Sequence, residues 1–227
     1  MLDKNVSCYI IAGHYGSGKT ELADNLAVYF SNHNKKTVIA DLDIVNPYFR
    51  TRECADVLAQ YGIEVVSSNF TNSPYEDTPG LSPEIASCFF RTDRINIIDV
   101  GGDPAGARVL GRYKRHVPER YEMWMVVNKN RYYTGTAVAT LEYLRDIERS
   151  SGLRFTGLVN NTHSCEETTA EDITAGNEML CELSRITGLP IIAYCYPSTI
   201  EEVPSSAGLR GEALPLKLMH RPGWMRY

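Results

Sequence analysis

The feature that most constrains this chain is a glycine-rich octapeptide between a short apolar run and an amphipathic segment. Residues 13–20 read Gly-His-Tyr-Gly-Ser-Gly-Lys-Thr and fit the pattern G-x-x-x-x-G-K-[ST]. Glycines let the backbone curl so that successive N–H groups point inward at phosphate oxygens, and the following helix adds its positive N-terminal end. The octapeptide therefore predicts a loop that cradles the phosphates of a nucleotide.

Every residue of this loop is a candidate for binding the nucleotide. We expect the Lys19 ammonium to reach the β- and γ-phosphates and to act in catalysis, and the Thr20 hydroxyl to bind Mg²⁺. The other candidates in the loop are Gly13, His14, Tyr15, Gly16, Ser17 and Gly18. A chance glycine-rich turn is the alternative, and the strand–loop–helix context argues against it.

Short apolar runs alternate with helical patterns over the whole chain. The predicted strands cover residues 8–12, 37–40, 63–66, 95–99, 123–128, 155–160 and 190–196. The predicted helices cover residues 20–32, 49–61, 83–90, 135–150 and 170–187. Most of these strands are continuously apolar, which is typical of a parallel sheet covered by helices on both faces. We therefore predict one α/β domain over residues 1–227, with a doubly wound, mainly parallel sheet of about seven strands like that of Rossmann-like P-loop NTPases.

Composition excludes several other classes of protein. Of the 227 residues, 43% are hydrophobic and 22% are charged, which is typical of a globular chain rather than a disordered one. The net charge of −5 disfavours non-specific binding to nucleic acid or anionic membranes, so we expect no nucleic-acid partner. The six cysteines form no C-x-x-C pair and are expected to be reduced thiols. With no visible signal peptide or membrane anchor, the sequence predicts a cytoplasmic protein.

Acidic residues follow the second predicted strand, at the end where an open parallel sheet places its ligand-binding loops. Asp41 and Asp43 begin the segment Asp-Leu-Asp-Ile-Val-Asn-Pro at residues 41–47. One carboxylate could hold the metal through water while the other orients the attacking water at the γ-phosphate. A solvated turn leading into Pro47 is the alternative for this segment.

A further acid ends the fourth predicted strand. The run Ile-Asn-Ile-Ile-Asp at residues 95–99 has the form of a Walker B strand, and we expect its Asp99 to hold Mg²⁺ by way of a water. Gly102 stands three residues later, where the backbone N–H of a D-x-x-G glycine can donate to the γ-phosphate. A glycine-rich loop at residues 100–106 could change conformation when that phosphate is lost. A purely structural glycine turn is the alternative.

The base-binding residues are predicted from the ends of the later strands. The guanine clamp N-K-x-D is nearly matched at residues 128–131, but Arg131 replaces its acid, so ATP is favoured over GTP. A second candidate ends the strand at 155–160, where an asparagine amide can donate to and accept from the adenine edge. An asparagine pair in a loop turn is the alternative for Asn160 and Asn161. Pro197, just after the last predicted strand, could line the same pocket with its backbone.

Taken in chain order, the phosphate loop, D-L-D-x-x-N-P, I-I-D-V-G-G and G-L-V-N-N resemble the SIMIBI class of P-loop NTPases. Within that class the chain is most similar to the MinD/ParA group, with the related CobQ/CobB-type nucleotide-binding domains, over residues 8–197. The resemblance implies Asp43 as the residue that positions the hydrolytic water and Asp41 as the one nearer the metal. It also implies Asn161, rather than Asn160, as the residue that reads the base.

Two departures from the family pattern concern the oligomeric state and the membrane. The signature lysine of MinD and ParA, which reaches across a nucleotide-sandwich dimer, is replaced by His14, and the glycine after it by Tyr15. A homodimer that completes its site through that lysine is therefore disfavoured. Residues 214–227 contain Pro215 and Pro222, which interrupt helical periodicity, so we expect no MinD-like membrane helix there. This tail is expected to pack on the domain or to remain mobile.

Three functions are compatible with these residues. The first, which we expect, is a Mg²⁺-dependent ATPase in which hydrolysis switches the loops at Asp41 and Asp99 and so regulates an unidentified protein partner. The second is an enzyme of the dethiobiotin-synthetase type, in which ATP phosphorylates a small acceptor held by the polar loop at residues 69–83. The third is a nucleotide-binding module that acts by conformation and hardly turns over.

Overall fold

The computed structural model describes residues 6–43, 54–67, 82–200 and 208–220 of the chain, without the side chains of residues 104 and 105. The strands are β1 (Cys8–Gly13), β2 (Thr37–Leu42), β3 (Glu64–Ser67), β4 (Ile95–Val100), β5 (Glu122–Val127), β6 (Gly157–Asn160), β7 (Ile191–Pro197) and β8 (Glu212–Leu216). The helices are α1 (Lys19–Asn32), α2 (Ala55–Ala59), α3 (Pro83–Phe90), α4 (Pro104–Arg112), α5 (Ala137–Ser151) and α6 (Ala170–Thr187).

The eight strands of the described residues form one parallel sheet in the order β3-β2-β4-β1-β5-β6-β7-β8. The predicted α/β fold with a doubly wound parallel sheet is confirmed, with one strand more than the seven predicted. Strand β8 is not predicted by the sequence because Pro215 lies within it. It is the edge strand beside β7, where Pro215 pairs with Tyr196, and an edge position tolerates a proline that cannot donate a hydrogen bond.

Helix α4 is likewise not predicted, because its nine residues include one proline and two glycines. The Asp103 carboxylate caps it by accepting from the Gly106 N–H at 2.7 Å, and the proline lies in the first turn, where no N–H is needed. Ala107 and Leu110 are buried against the sheet, so tertiary packing outweighs the low helix propensity. The predicted loop at 100–106 is therefore shorter than the glycines suggest.

The other predicted boundaries differ only slightly from the structure. Strand β2 continues two residues beyond its predicted end, and β6 begins at Gly157 rather than at residue 155. The predicted helix at 49–61 is described only from residue 54, where α2 covers Ala55–Ala59. The Asn46–Pro47 part of the acidic segment and nearly all of the predicted acceptor loop at 69–83 lie outside the described residues.

Apolar side chains pack on both faces of the sheet. Tyr9 and Ile10 in β1 are fully buried on opposite faces, because successive side chains of a strand point to opposite sides. Leu22 of α1 and Leu58 of α2 cover the face of Tyr9. Helices α3, α4, α5 and α6 cover the other face. Helices on both faces explain why the strands are continuously apolar.

The position of β1 between β4 and β5 determines where the site lies. Because all strands run in the same direction, the loops at their carboxyl ends gather at one edge of the sheet. In the strand register, Asp99 in β4 lies between Ile11 in β1 and Asp41 in β2. The phosphate loop and both acidic segments therefore meet at this edge.

The chain after β8 returns over α1. The Asn25 side chain accepts from the Lys217 N–H at 2.8 Å and donates to the Lys217 carbonyl at 2.9 Å. Residues 217–220 therefore pack on the domain, which is one of the two behaviours expected of the tail. No helix in the described part of the chain is long and apolar enough to cross a membrane.

Candidate functional site

The phosphate loop connects the end of β1 to the beginning of α1. Its last glycine, Gly18, has a φ of 76°, in the left-handed region that favours glycine. A Cβ at this position would lie 2.3 Å from Nδ2 of Asn161, so the loop also has no room for a side chain there. The sequence pattern thus reflects both the backbone conformation and a close approach to the end of β6.

Side chains from the ends of β5 and β6 hold the phosphate loop from outside. Asn161 Nδ2 donates to the Ser17 carbonyl at 2.7 Å. Asn128 Nδ2 and Arg131 Nε both donate to the Gly16 carbonyl, at 3.3 and 3.0 Å. The sequence indicates Asn128 and Arg131 only as parts of an incomplete guanine-binding motif. It does not predict that they support the phosphate loop. The signal available was their position directly after a strand that neighbours β1.

Lys19 is buried beside one of the predicted acids. Its Nζ lies 3.6 Å from Oδ2 of Asp43, and both side chains are 5% exposed. Burial of the two charges is tolerated because they compensate each other. A nucleotide phosphate at this loop would compete with Asp43 for the ammonium. The structure thus brings together the two residues predicted to act in catalysis.

Thr20 and Asp99 form a second contact in the same place. The Thr20 hydroxyl donates to Oδ2 of Asp99 at 2.7 Å. Burial, opposed by Lys19 and assisted by the neighbouring Asp41, raises the pKa of Asp99 to about 7. Asp41 is itself buried and accepts from the Asp43 N–H at 2.9 Å.

The three predicted metal ligands therefore lie together, buried at the carboxyl end of the sheet. Thr20, Asp41 and Asp99 supply a hydroxyl and two carboxylates, which are the hard oxygen donors that Mg²⁺ prefers. The pKa of Asp99 is raised mainly by burial and further by the neighbouring Asp41, and a divalent cation beside it would favour its charged form. The donor set fits Mg²⁺.

The loop after β4 packs directly on the phosphate loop. A Cβ on Gly102 would lie 2.7 Å from the backbone N of Tyr15, and one on Gly101 would lie 3.2 Å from Oδ1 of Asp43. The Tyr143 hydroxyl of α5 donates to the Gly102 carbonyl. Gly102 thus lies against the phosphate loop and is held by α5, while its neighbour Gly101 lies against Asp43.

His14 lies against residues of its own chain. Its ring contacts those of Tyr133 and Tyr143, with centroids 5.1 and 4.9 Å apart, and its Nδ1 lies 2.7 Å from the Tyr15 carbonyl. Burial lowers the pKa of His14, so the ring is neutral near pH 7. The Tyr15 side chain beside it is about half exposed.

The predicted base-binding residues lie at the ends of neighbouring strands. Asn161 is buried and follows β6, while Pro197 ends β7 and its carbonyl accepts from the Ile200 N–H at 3.0 Å. His163 lies next to Asn161, with its Nε2 3.3 Å from the position of a Cβ on Gly18. Burial and the nearby Arg131 lower the pKa of His163 to about 4, so this ring is neutral too. The sequence does not predict that His163 lies beside the phosphate loop.

Comparison with known proteins adds information on the fold. No family model and no curated protein sequence matches the chain. Among solved structures, FtsY from Elizabethkingia anophelis in complex with GDP is 16% identical, with a TM-score of 0.56 over 86% of this chain and 58% of that one. A nucleotide-binding protein from Archaeoglobus fulgidus in complex with ADP is 16% identical, with a TM-score of 0.53 over 89% and 84%. The signal recognition particle 54 kDa protein from Aeropyrum pernix with GDP is 18% identical, with a TM-score of 0.52 over 84% and 41%.

These similarities confirm the predicted fold, whereas the resemblance to the SIMIBI class rests on the sequence motifs. They do not test the closer resemblance to the MinD/ParA group, which stays a prediction. The chain spans less than two thirds of the length of the FtsY chains that it matches. A sequence identity below 20% supports a shared fold, but it does not support a shared activity with these proteins.

Proposed function

We propose that this protein binds ATP with Mg²⁺ and hydrolyses it, and that the hydrolysis switches a surface read by a protein partner. The observation that carries the proposal is a single buried cluster at the phosphate loop. In it Lys19 lies 3.6 Å from Asp43, and Thr20 lies 2.7 Å from Asp99. A lysine, a hydroxyl and several acids are the parts that phosphoryl transfer from a nucleotide needs.

Each of these groups has a role that follows from its chemistry. Lys19 and the loop backbone would bind the β- and γ-phosphates, and Lys19 would stabilise the charge that develops on them. Thr20, Asp41 and Asp99 would hold Mg²⁺, which supplies charge neutralisation at the phosphate oxygens when bound. Asp43, freed from Lys19 when the phosphates arrive, would orient the attacking water.

Adenine is the base that the described residues favour. The acid of a guanine clamp is replaced by Arg131, whose Nε donates to the Gly16 carbonyl of the phosphate loop. Asn161 is the remaining candidate for reading the base, and its amide offers both a donor and an acceptor. One fold neighbour is described as a complex with ADP, although two others are described as complexes with GDP.

The switch is supported by the contacts between the loops. Gly101 lies against Asp43 and Gly102 against Tyr15, so a shift of the loop after β4 changes the surroundings of the γ-phosphate site. Helix α4 begins directly after this loop and would transmit such a shift to the surface. Because His14 contacts Tyr133 and Tyr143 of the same chain, the proposal does not require a homodimer.

Phosphate release tests this function. With ATP and Mg²⁺, we expect hydrolysis without an added acceptor, lost in Asp43→Ala and retained in the control Asp93→Ala, whose carboxylate is exposed and pairs with Arg91. Competition between ATP and GTP for the site reports the base preference. Turnover that requires a small carboxylate acceptor would instead support the kinase. Tight ATP binding with no turnover, with or without an acceptor, would support a nucleotide-binding module that acts by conformation alone.

A further inference from the structure

A second cluster of reactive side chains lies where the C-terminal segment crosses α1. The Glu21 carboxylate accepts from the His220 N–H at 3.2 Å and from the Met219 N–H, and Asn25 holds Lys217 from the same helix. Two side chains of α1, Glu21 and Asn25, therefore fix residues 217–220 in place. The result is that the His220 ring is inserted between α1 and the residue before α2.

The His220 ring bridges a thiol and a carboxylate. Its Nε2 lies 2.5 Å from Oδ2 of Asp24, and its Nδ1 lies 3.5 Å from Sγ of Cys54. All three side chains are almost completely buried, and their donor atoms lie within 4.8 Å of one another. They come from α1, from the beginning of α2 and from the C-terminal segment, so the fold assembles the cluster from three distant parts of the sequence.

The distances correspond to those of a zinc site. Bonds of about 2.3 Å to sulfur and about 2.0–2.1 Å to nitrogen at a tetrahedral ion separate the two ligand atoms by about 3.6 Å. Cys54 Sγ and His220 Nδ1 are 3.5 Å apart. The other ring nitrogen points at Asp24, as in the carboxylate–histidine–zinc arrangement that orients a ligating imidazole. The Met219 carbonyl, 3.7 Å from Sγ, offers a further oxygen at the same place.

We propose that Cys54 and His220 bind a zinc-class divalent metal ion, with Asp24 orienting the imidazole and water or the Met219 carbonyl completing the coordination. Thiolate and imidazole donors select zinc over magnesium, so this site is chemically distinct from the oxygen donors of Thr20 and Asp99. The bound ion would join the C-terminal segment to α1 and to the start of α2.

Binding of the ion displaces protons from both ligands. Both nitrogens of the His220 ring lie within hydrogen-bonding distance of a partner, Nε2 of Asp24 and Nδ1 of Cys54. A metal ion therefore replaces the proton at Nδ1 and that of the thiol, as is general for cysteine–histidine sites. Without an ion, the same groups hold the segment through hydrogen bonds alone.

Cobalt substitution tests the site on the full chain. Protein freed of metal with a chelator, without nucleotide, is titrated with CoCl₂. We expect a thiolate-to-cobalt charge-transfer absorption that Zn²⁺ abolishes and Mg²⁺ does not. The absorption is expected to disappear in Cys54→Ser and to persist in Cys181→Ser, a partly exposed cysteine on α6 that serves as the matched control. His220→Gln and Asp24→Asn are expected to weaken cobalt binding by about 10- to 100-fold.

No charge-transfer absorption in the wild-type protein, or an absorption that survives Cys54→Ser, would overturn the proposal. Should Cys54→Ser fold poorly by circular dichroism, the cobalt affinity of His220→Gln decides in its place, and an unchanged affinity refutes the site. The readout needs neither nucleotide nor turnover. Failure of the metal site is thus distinguishable from failure of the proposed ATPase.

Discussion

Replacing Asp99 with asparagine is expected to stabilise the nucleotide-free protein while abolishing the proposed Mg²⁺-dependent ATP hydrolysis. Asp99 is fully buried, and burial raises its pKa from 3.8 to about 7. The asparagine is nearly isosteric, and its amide oxygen can still accept the hydrogen bond from Thr20. The substitution therefore removes the buried charge without leaving a cavity.

The size and sign of the effect follow from the two pKa values. Because the folded protein holds the Asp99 proton more tightly than the unfolded chain, stability contributed by this group is present below pH 3.8 and is lost as the pH rises to about 7. A gap of about 3 pKa units at about 1.4 kcal/mol each makes the loss about 4 kcal/mol at pH 8. At pH 5.5 it is about 2 kcal/mol, so the advantage of the variant grows by about 2 kcal/mol between the two pH values.

Urea denaturation at pH 5.5 and pH 8, with a chelator and without nucleotide, measures this difference. Other groups that titrate in this range, including the histidines, are common to both proteins and cancel in the comparison. Parallel pH profiles for wild type and Asp99→Asn would refute the reasoning, because Asp99 would then titrate alike in the folded and unfolded states. Adding ATP and Mg²⁺ is expected to stabilise the wild type and to have little effect on the variant.

The remaining predictions concern the phosphate loop. Lys19→Ala is expected to weaken ATP binding by about 10- to 100-fold in calorimetry, since a charged hydrogen bond is lost, and unchanged affinity would argue against the site. Asp43→Ala is expected to lower turnover by about 100-fold or more while ATP affinity is kept or improved, because Lys19 loses a competitor; a matching loss of affinity would contradict this role. Asn161→Ala is expected to weaken ATP more than pyrophosphate, whereas an equal loss would assign Asn161 to loop support through Ser17. Gly18→Ala is expected to lower the free energy of unfolding by at least about 1–2 kcal/mol, because its left-handed φ disfavours a side chain, and an unchanged urea midpoint would contradict it.

The sequence predicts the parts of the fold that depend on local pattern. Continuous apolar runs located all seven predicted strands because both faces of the sheet are covered, as Tyr9 and Ile10 show. Strand β8 and helix α4 were missed for the opposite reason. Pro215 and the glycines of α4 oppose regular structure locally, and only an edge position and burial of Leu110 against the sheet overcome that preference.

The sequence predicts the parts of the candidate site whose functional residues lie within one motif. It does not predict contacts between residues that are far apart in the sequence. The glycine loop, Lys19 and Thr20 lie within one octapeptide, so their proximity could be inferred. The support of Gly16 by Asn128 and Arg131 crosses more than a hundred positions, and nothing in the spacing indicates it. The Cys54–His220 contact also depends on the return of the chain over α1, which β8 determines.

The charges of the site explain why Mg²⁺ and nucleotide should bind together. Lys19 lies 3.6 Å from Asp43 and also favours the charged form of Asp99, and Asp41 is a further buried acid beside Asp99. A triphosphate adds further negative charge, which one ammonium and the loop N–H groups cannot balance in a poorly hydrated pocket. A divalent cation between the phosphates and the acids reverses this balance, and it would lower the pKa of Asp99 and release its proton near neutral pH. The protein's net charge of −5 does not favour the approach of an anionic nucleotide, so a bound cation would be an important electrostatic determinant of its affinity.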